Sequence, residues 1–333
     1  MKALLFERQS LEALEVKDVE KPKLNNDSVL IRVKMAGVNP IDYKTVTAIP
    51  HITPMPHIPG AEFAGEVAEV GSSVSNVSVG DRVTVYNRRF DGVCRMCKVG
   101  MEQLCTGGYI IGVGSNGGFA EYAVVDAKNV FKIGDEVNWE LAASLPVSAL
   151  TAYHAINEAG LSKGETAVIL GASGNTGLFA VQFAKAKGAE VIAVSRKNWV
   201  GDFGPDHVVP DYSSAIERVK ELTGGAMANV VLNSLGERFW DLGIGMLGYC
   251  GRMVGFGTLS GNKVSMDFNG IYSKQIRVIG STGGTIKEFK ELVSKASDYR
   301  TKVWKRMRLE EGSKALAELD SNDRDGRIIL EIS

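Results

Sequence analysis

The sequence predicts an α/β protein of two domains, one built on a parallel sheet covered by helices and the other mostly β. Three observations predict this. Residues 166–197 run as an apolar stretch, a glycine-rich turn, a helix of alternating faces and a β-branched stretch, which is a βαβ unit. After residue 200, short apolar runs alternate with helical segments, as in a parallel sheet. The first 130 or so residues hold short runs bounded by Gly, Asn, Asp and Pro, the punctuation of strands and turns.

The chain has 333 residues, is 44% hydrophobic and 23% charged, and carries a net charge of −1. Two domains of ordinary size each have enough residues for a core. A near-neutral balance gives no general electrostatic drive toward nucleic acid or an anionic membrane surface. No basic stripe with interleaved aromatics marks a nucleic-acid face. No apolar run is long enough to span a bilayer, and MKALLFERQSLEALEV reads as no secretory signal. The expected location is the cytoplasm.

Taken in order, the runs VLIRVKMAGV, FAGEVAEVG and DRVTVY are the first candidate strands, separated by LNND and SVGDR turns. Residues 87–118 are irregular and hold a cysteine cluster; so long a loop needs a function or a staple. From Glu140 the pattern turns helical through ELAASLPVSALTAYHAINEAG. The βαβ unit follows, then candidate strands HVVP, ANVVLNSLG, GRMVGFG and IRVIGSTG. A helix (IKEFKELVSKASDY), a strand, a helix (LEEGSKALAELD) and a last strand (RIILEI) close the chain.

The turn of the βαβ unit reads Gly171-Ala172-Ser173-Gly174-Asn175-Thr176-Gly177. Glycines there let the backbone approach a pyrophosphate closely, and the helix that follows offers free N–H groups and its positive dipole end. The preceding strand, following helix and returning strand supply the context that a bare glycine triplet lacks. The returning strand ends at Val194, and Ser195-Arg196-Lys197 follows. An Asp or Glu at that point would hold a ribose 2′-hydroxyl; a small hydroxyl with two cations suits a 2′-phosphate instead. NADPH is therefore the expected cofactor.

Of four cysteines, three cluster with an acid as Asp91, Cys94, Cys97 and Cys105. Three thiolates and a carboxylate can complete a closed tetrahedral zinc site, which is structural rather than catalytic. Gly92 and Gly100 permit the turns of such a knot. One zinc per chain is expected, and Cys250 reads as a small core residue.

The segments GVNPIDYK (37–44), PGAEFAGEV (59–67), VGDRV (79–83), CRMCKVGMEQLC (94–105), GGFAEY (117–122), LTAYHAI (150–156), GASGNTG (171–177) and GRMVGFG (251–257) together resemble the medium-chain dehydrogenase/reductase superfamily, which includes zinc alcohol dehydrogenases and zinc-independent quinone reductases. The resemblance covers essentially the whole chain. It implies a Rossmann dinucleotide-binding domain over residues 149–282, inserted in a GroES-like catalytic domain formed by residues 1–148 and 283–333. The zinc lobe would span about residues 87–118. It also implies Gly255 and Phe256 as further cofactor contacts, and a homodimer or homotetramer paired near GRMVGFG and IRVIGSTG.

The departures from the family pattern bear on the chemistry. Zinc alcohol dehydrogenases place a cysteine where this chain has Asn39, a histidine where it has Ala61, and a cysteine or acid near Val147. The glutamate beside the metal is kept as Glu62. Without a Lewis acid, the simplest reaction is hydride delivery from NADPH to an already electrophilic quinone or α,β-unsaturated carbonyl. Asn39 would then donate a hydrogen bond to the developing oxyanion. Tyr43 would supply a proton, Asp42 would orient its neighbours, and Thr151 would pack near the nicotinamide. One alternative is a zinc-type alcohol dehydrogenase using ligands from unexpected positions, such as His57 and Glu62. Another is a non-catalytic NADPH-binding sensor or partner protein.

Overall fold

The computed structural model describes residues 1–333. It divides into two compact units, one of residues 1–147 and 285–333, the other of residues 148–284. No helix is long and apolar enough to cross a membrane.

The second unit carries a six-stranded sheet. Its spatial order is His207–Val209, Glu190–Val194, Thr166–Leu170, Ala228–Asn233, Leu247–Gly255, Arg277–Gly280. Every adjacent pair is parallel. Counted along the chain this is the order 3-2-1-4-5-6 of dinucleotide-binding sheets. Burial on both faces is why these strands read as apolar runs: Ala167, Val168, Ile169 and Leu170 have no exposed surface. The chain reverses direction of travel across the sheet between the strands at 166 and 228. Ligand crevices form outside the C-terminal strand ends at such a point.

The first unit is built on a seven-stranded sheet. Its long central strand, Ser28–Gly37, pairs antiparallel with Phe63–Val70, with Tyr122–Asp126 and with the last strand, Arg327–Glu331. Segments from before and after the second unit therefore meet in one sheet. A helix, Pro40–Thr47, leaves the central strand almost at once. Pro40 suits the first turn because its missing N–H has no partner there in any helix. Phe6, Phe63, Phe119, Ile31 and Val33 are among the buried residues of its core.

Two expectations need correction. The helical stretch expected over 140–160 is three pieces: a turn at Trp139–Ala142, a π-helical turn at Leu145–Ala149, and a helix at Leu150–Glu158. Pro146 has no N–H to donate, and the ladder widens around it. Cys250 is exposed rather than part of the core. It lies in the strand Leu247–Gly255 with a φ of 55°.

Candidate functional site

In the second unit the strand Thr166–Leu170 delivers the chain to Gly171, whose φ of 70° favours glycine. The Gly174 N–H donates to the Gly171 carbonyl (2.8 Å), and the Ala172 N–H donates to the Val194 carbonyl (3.2 Å). The glycine loop is thus tied to the end of the next strand. At Gly177 any Cβ would overlap the Gly171 carbonyl oxygen, so helix Gly177–Ala186 reaches this close to the turn only with glycine there. Ser173 and Thr176 are half-buried and Asn175 is buried.

Ser195 has no exposed surface, and its Oγ accepts the Lys197 N–H at 3.1 Å. It shapes the turn that leaves Arg196 exposed and Lys197 half-buried. Tyr212, unmarked in the sequence, donates its hydroxyl to the Val194 carbonyl (3.2 Å) and closes the far side of that turn. Gly255 pairs in register with Asn233 and Gly280, and the Phe256 N–H donates to the Asn233 carbonyl (3.1 Å). These residues all stand at C-terminal strand ends of one sheet. Thr151, on helix Leu150–Glu158, belongs to the same unit.

In the first unit Asn39 caps helix Pro40–Thr47, and Asp42 sits in its first turn. The Asp42 carboxylate is fully buried. It accepts the Asn39 N–H (2.9 Å) on Oδ2 and the Ala61 N–H (2.8 Å) on Oδ1. Burial pushes its pKa up to about 7, with the nearby Glu62 charge adding to the rise, against the pull of the backbone N–H groups. The Asn39 amide donates from Nδ2 to Glu62 Oε2 (2.6 Å). Glu62 Oε1 accepts from Arg327 Nη2, also at 2.6 Å. Asn39, Asp42, Glu62 and Arg327 are all buried. Tyr43 follows on the same helix, half-buried, its ring side packed on the core.

Of these four, Arg327 is the one that sequence patterns do not single out. Its only mark is a charge at the head of the apolar run RIILEI. Gly37, in the motif GVNPIDYK, also acquires a reason: a Cβ there would come within 2.6 Å of Arg327 Nη2 and 2.9 Å of Glu62 Oε1.

A catalytic metal of the kind used by zinc alcohol dehydrogenases does not fit these residues. By the resemblance, Asn39 and Ala61 are expected at two of its ligand positions, and Val147, expected near the third, lies in the π-helical turn. The alternative ligand His57 is also committed. Its Nδ1 faces the Pro54 carbonyl (3.2 Å) and its Nε2 the Gly112 carbonyl (3.0 Å), while its ring lies against Phe6. A neutral ring donates to only one of these carbonyls, and His57 belongs to no cluster of metal-ligating side chains. A cavity of about 560 Å³ in this unit, lined in part by Pro54, Pro56, Ile58, Tyr109 and Tyr122, is not lined by Asn39, Asp42 or Tyr43.

The cysteine lobe does fit a metal. The ligand atoms of Asp91, Cys94, Cys97 and Cys105 all lie within 4.8 Å of one another. The Cys94 and Cys105 sulfurs are 3.8 Å apart, about the edge of a tetrahedron with zinc–sulfur bonds of about 2.3 Å. Asp91 Oδ1 accepts the Val93 and Cys94 N–H groups (2.8 and 2.9 Å). Those donors hold its pKa down to about 2, so it is an anion ready to ligate. Gly92 and Gly100, with φ of 76° and 74°, make the turns on either side of the short helix Arg95–Lys98.

The fold and these sites define a dinucleotide-binding oxidoreductase with a metal-binding lobe, and comparison with known proteins agrees. Residues 25–135 match the alcohol dehydrogenase GroES-like domain and residues 176–298 the zinc-binding dehydrogenase family. An NAD-dependent alcohol dehydrogenase of Sulfolobus acidocaldarius is 30% identical over the full length of both chains. A cobalt- and zinc-bound thermostable alcohol dehydrogenase from Pyrobaculum aerophilum is 42% identical, with 99% of each chain covered and a TM-score of 0.92. An acryloyl-coenzyme A reductase of Metallosphaera sedula is 28% identical over 99% of each chain. The chain belongs to the medium-chain dehydrogenase/reductase superfamily and is an oxidoreductase of the alcohol dehydrogenase-like kind.

Proposed function

We propose that the chain interconverts a small alcohol and its carbonyl compound by hydride transfer with a nicotinamide cofactor, and that no metal touches the reacting oxygen. The observation that carries the reaction type is full-length likeness to alcohol dehydrogenases around a complete glycine cradle. The observation that carries the metal-free chemistry is the set Asn39, Ala61 and Val147 where zinc ligands would stand. This reading amends the sequence expectation, which puts quinones and enals first: the relatives favour alcohols and aldehydes.

The cofactor supplies or accepts the hydride at the substrate carbon. The chain's own residues do the rest. The glycine loop Gly171–Gly177 holds the pyrophosphate, with Ser173, Asn175 and Thr176 lining it, and Gly255, Phe256 and Thr151 bear on the nicotinamide end. The Asn39 side chain, whose amide is held by Glu62, is assigned to the carbonyl oxygen where charge develops. Tyr43 delivers the proton to that oxygen, directly or through water. Asp42 fixes the helix start that presents both residues.

NADPH is the proposed cofactor, although the Sulfolobus relative is NAD-dependent. Support comes from Ser195 at the strand end, where an acid would serve NAD, and from Arg196 and Lys197 beside it. Zinc is assigned to Asp91, Cys94, Cys97 and Cys105, where it would brace the lobe. A homodimer is proposed through the sheet edge Arg277–Gly280, which carries the exposed Val278 and pairs with the strand of the exposed Tyr249.

A second reading, reduction of enals or quinones, is favoured by the same missing ligands and by the acryloyl-coenzyme A reductase relative. One experiment separates the readings. Oxidation of NADPH and NADH is followed with alcohol–aldehyde pairs, enals and quinones, and zinc per chain is determined on the same sample. Turnover of alcohols or aldehydes with about one zinc per chain supports the proposal. Turnover confined to enals or quinones favours the second reading. About two zincs, with activity lost on chelation, would refute metal-free chemistry. No turnover with any acceptor would return the protein to a binding role.

A further inference from the structure

We propose that the cavity of the first unit is a second small-molecule site, apart from the reacting centre, and that it takes an uncharged alcohol: a hydroxyl head on an apolar body. Nothing in this site depends on the chemistry assigned to Asn39.

The cavity holds about 560 Å³, within the range of about 300–1,000 Å³ usual for small-molecule sites. Pro54, Pro56, Ile58 and Ile111 give it an apolar wall, continued by the rings of Tyr109 and Tyr122. That wall is held by hydrogen bonds of its own. The His57 ring lies between the Pro54 and Gly112 carbonyls, at 3.2 and 3.0 Å. The His57 and Phe6 backbones exchange two hydrogen bonds, of 2.9 and 3.0 Å. The Ile58 N–H donates to Asn116 Oδ1 (3.0 Å). His57, which has no part in the proposed reaction, thus braces the cavity. A wall fixed before a ligand arrives lowers the ordering cost of binding.

One end of the cavity is polar. Arg89 pairs in register with Tyr109, Asp126 ends the strand Tyr122–Asp126, and Asn129 lies in the turn after it. Asn129 is 1% exposed and donates both amide N–H groups, to the Tyr86 carbonyl (2.7 Å) and the Arg88 carbonyl (2.8 Å). Turning the amide over would set its oxygen against those two carbonyls, so the orientation is fixed. Oδ1 is then a buried acceptor with no donor. Folded proteins leave few such atoms, and each calls for a partner. Arg89 has the opposite need. Of its N–H donors, the one on Nε goes to Asp126 Oδ2 (3.2 Å), which leaves donors to spare.

A hydroxyl answers both, because it donates once and accepts through two lone pairs. Its proton goes to Asn129 Oδ1 and its oxygen takes a donor of Arg89. Charge argues against other heads. The charged lining residues are Glu20, Arg89 and Asp126. Arg89 and Asp126 neutralise each other, and Glu20 is exposed to solvent. A carboxylate head would meet Asp126 and the Asn129 oxygen, and an ammonium head would meet Arg89, each without a counter-charge of its own.

Methyl-resolved NMR of the whole chain tests this, because each wall methyl reports its own surroundings. Three probes are titrated: n-hexanol; hexyl methyl ether, which keeps the chain and the oxygen but has no proton to donate; and hexanoate. With n-hexanol the methyl signals of Leu5, Ile58 and Ile111 should shift saturably with one Kd. The ether should bind about tenfold more weakly, since it leaves Asn129 unpaired, and hexanoate at least as weakly as the ether. Ser115→Trp, from a half-buried lining position, should abolish the shifts. Should that variant not fold, Val124→Trp fills the cavity from the strand Tyr122–Asp126. Hexanol bound at the reacting centre is told apart: it moves Val46, on helix Pro40–Thr47, and survives either tryptophan. Wall methyls that do not move, shifts there that persist in the tryptophan variants, an ether that binds as well as the alcohol, or hexanoate that binds better would each overturn the proposal.

Discussion

Asp42 is a carboxylate with no exposed surface, one helical turn from Asn39 and in hydrogen-bond contact with the backbone of Ala61. Its pKa, raised from 3.8 to about 7, makes it a source of pH-dependent stability. The folded chain binds a proton there more tightly than the unfolded chain does. The stability this contributes is full below about pH 4 and is lost as pH rises toward 7. The slope is at most about 1.4 kcal/mol per pH unit for one proton. Urea unfolding of the native chain and of Asp42→Asn at about pH 5 and about pH 7.5 checks this. The native chain should lose stability between the two, relative to the variant; an equal or opposite change would show Asp42 ionised throughout. At this scale the sequence marks Asn39, Asp42 and Tyr43 as candidates because they stand together in GVNPIDYK. It cannot mark Arg327, which reaches Glu62 across 265 positions. Sequence spacing carries information only between residues of one element.

Two elements carry the proposed binding chemistry, and each makes its own prediction. In the cradle, Gly177→Ala puts a methyl group into the Gly171 carbonyl, so the turn must open. Cofactor Kd, read by fluorescence titration, should rise at least about tenfold, since both backbone approach and helix dipole are displaced. Beside it, Arg196→Ala/Lys197→Ala should raise the NADPH KM by about 10- to 100-fold, the worth of hydrogen bonds to a charged phosphate, and leave NADH untouched. An equal change in both cofactors would show that the two cations do not read the 2′-phosphate. In the lobe, Cys97→Ser removes one of four ligand atoms that lie within 4.8 Å of each other. Zinc content should fall from about one per chain toward zero, and the melting temperature should drop with it. Unchanged zinc content would place the metal elsewhere. Both elements are legible in the sequence because each is local: a glycine triplet between strand and helix, and cysteines within one loop. The stretch 140–160 departs from its sequence pattern for a related reason. Its apolar spacing is helical throughout, but Pro146 breaks the hydrogen-bond ladder without breaking the pattern.

For the whole molecule, Val278 is exposed on the edge strand Arg277–Gly280, Tyr249 is exposed on the strand paired with it, and Met266, Phe268 and Tyr272 are exposed in the segment between those two strands. An open edge with apolar neighbours is a surface that stable proteins cover. Sedimentation should find a dimer, and Val278→Asp should shift it toward monomer while leaving zinc content alone; a monomeric native chain would remove the proposal. What the sequence by itself determined is the class: strand–glycine loop–helix–strand, the clustered cysteines and the motif order fix an α/β dehydrogenase, because each signal is written in neighbouring residues whose periodicity or spacing is the structure. What only the tertiary structure decided is the surroundings of the proposed reacting centre. Whether His57 could take a ligand's place depended on two carbonyls, one of them 55 residues away. Which acid Asn39 meets depended on Glu62, 23 residues away, itself paired with Arg327 from the last strand. Those contacts arise where distant segments are pressed together in a shared core, and burial there, rather than sequence position, sets which side chains meet and what charge they carry.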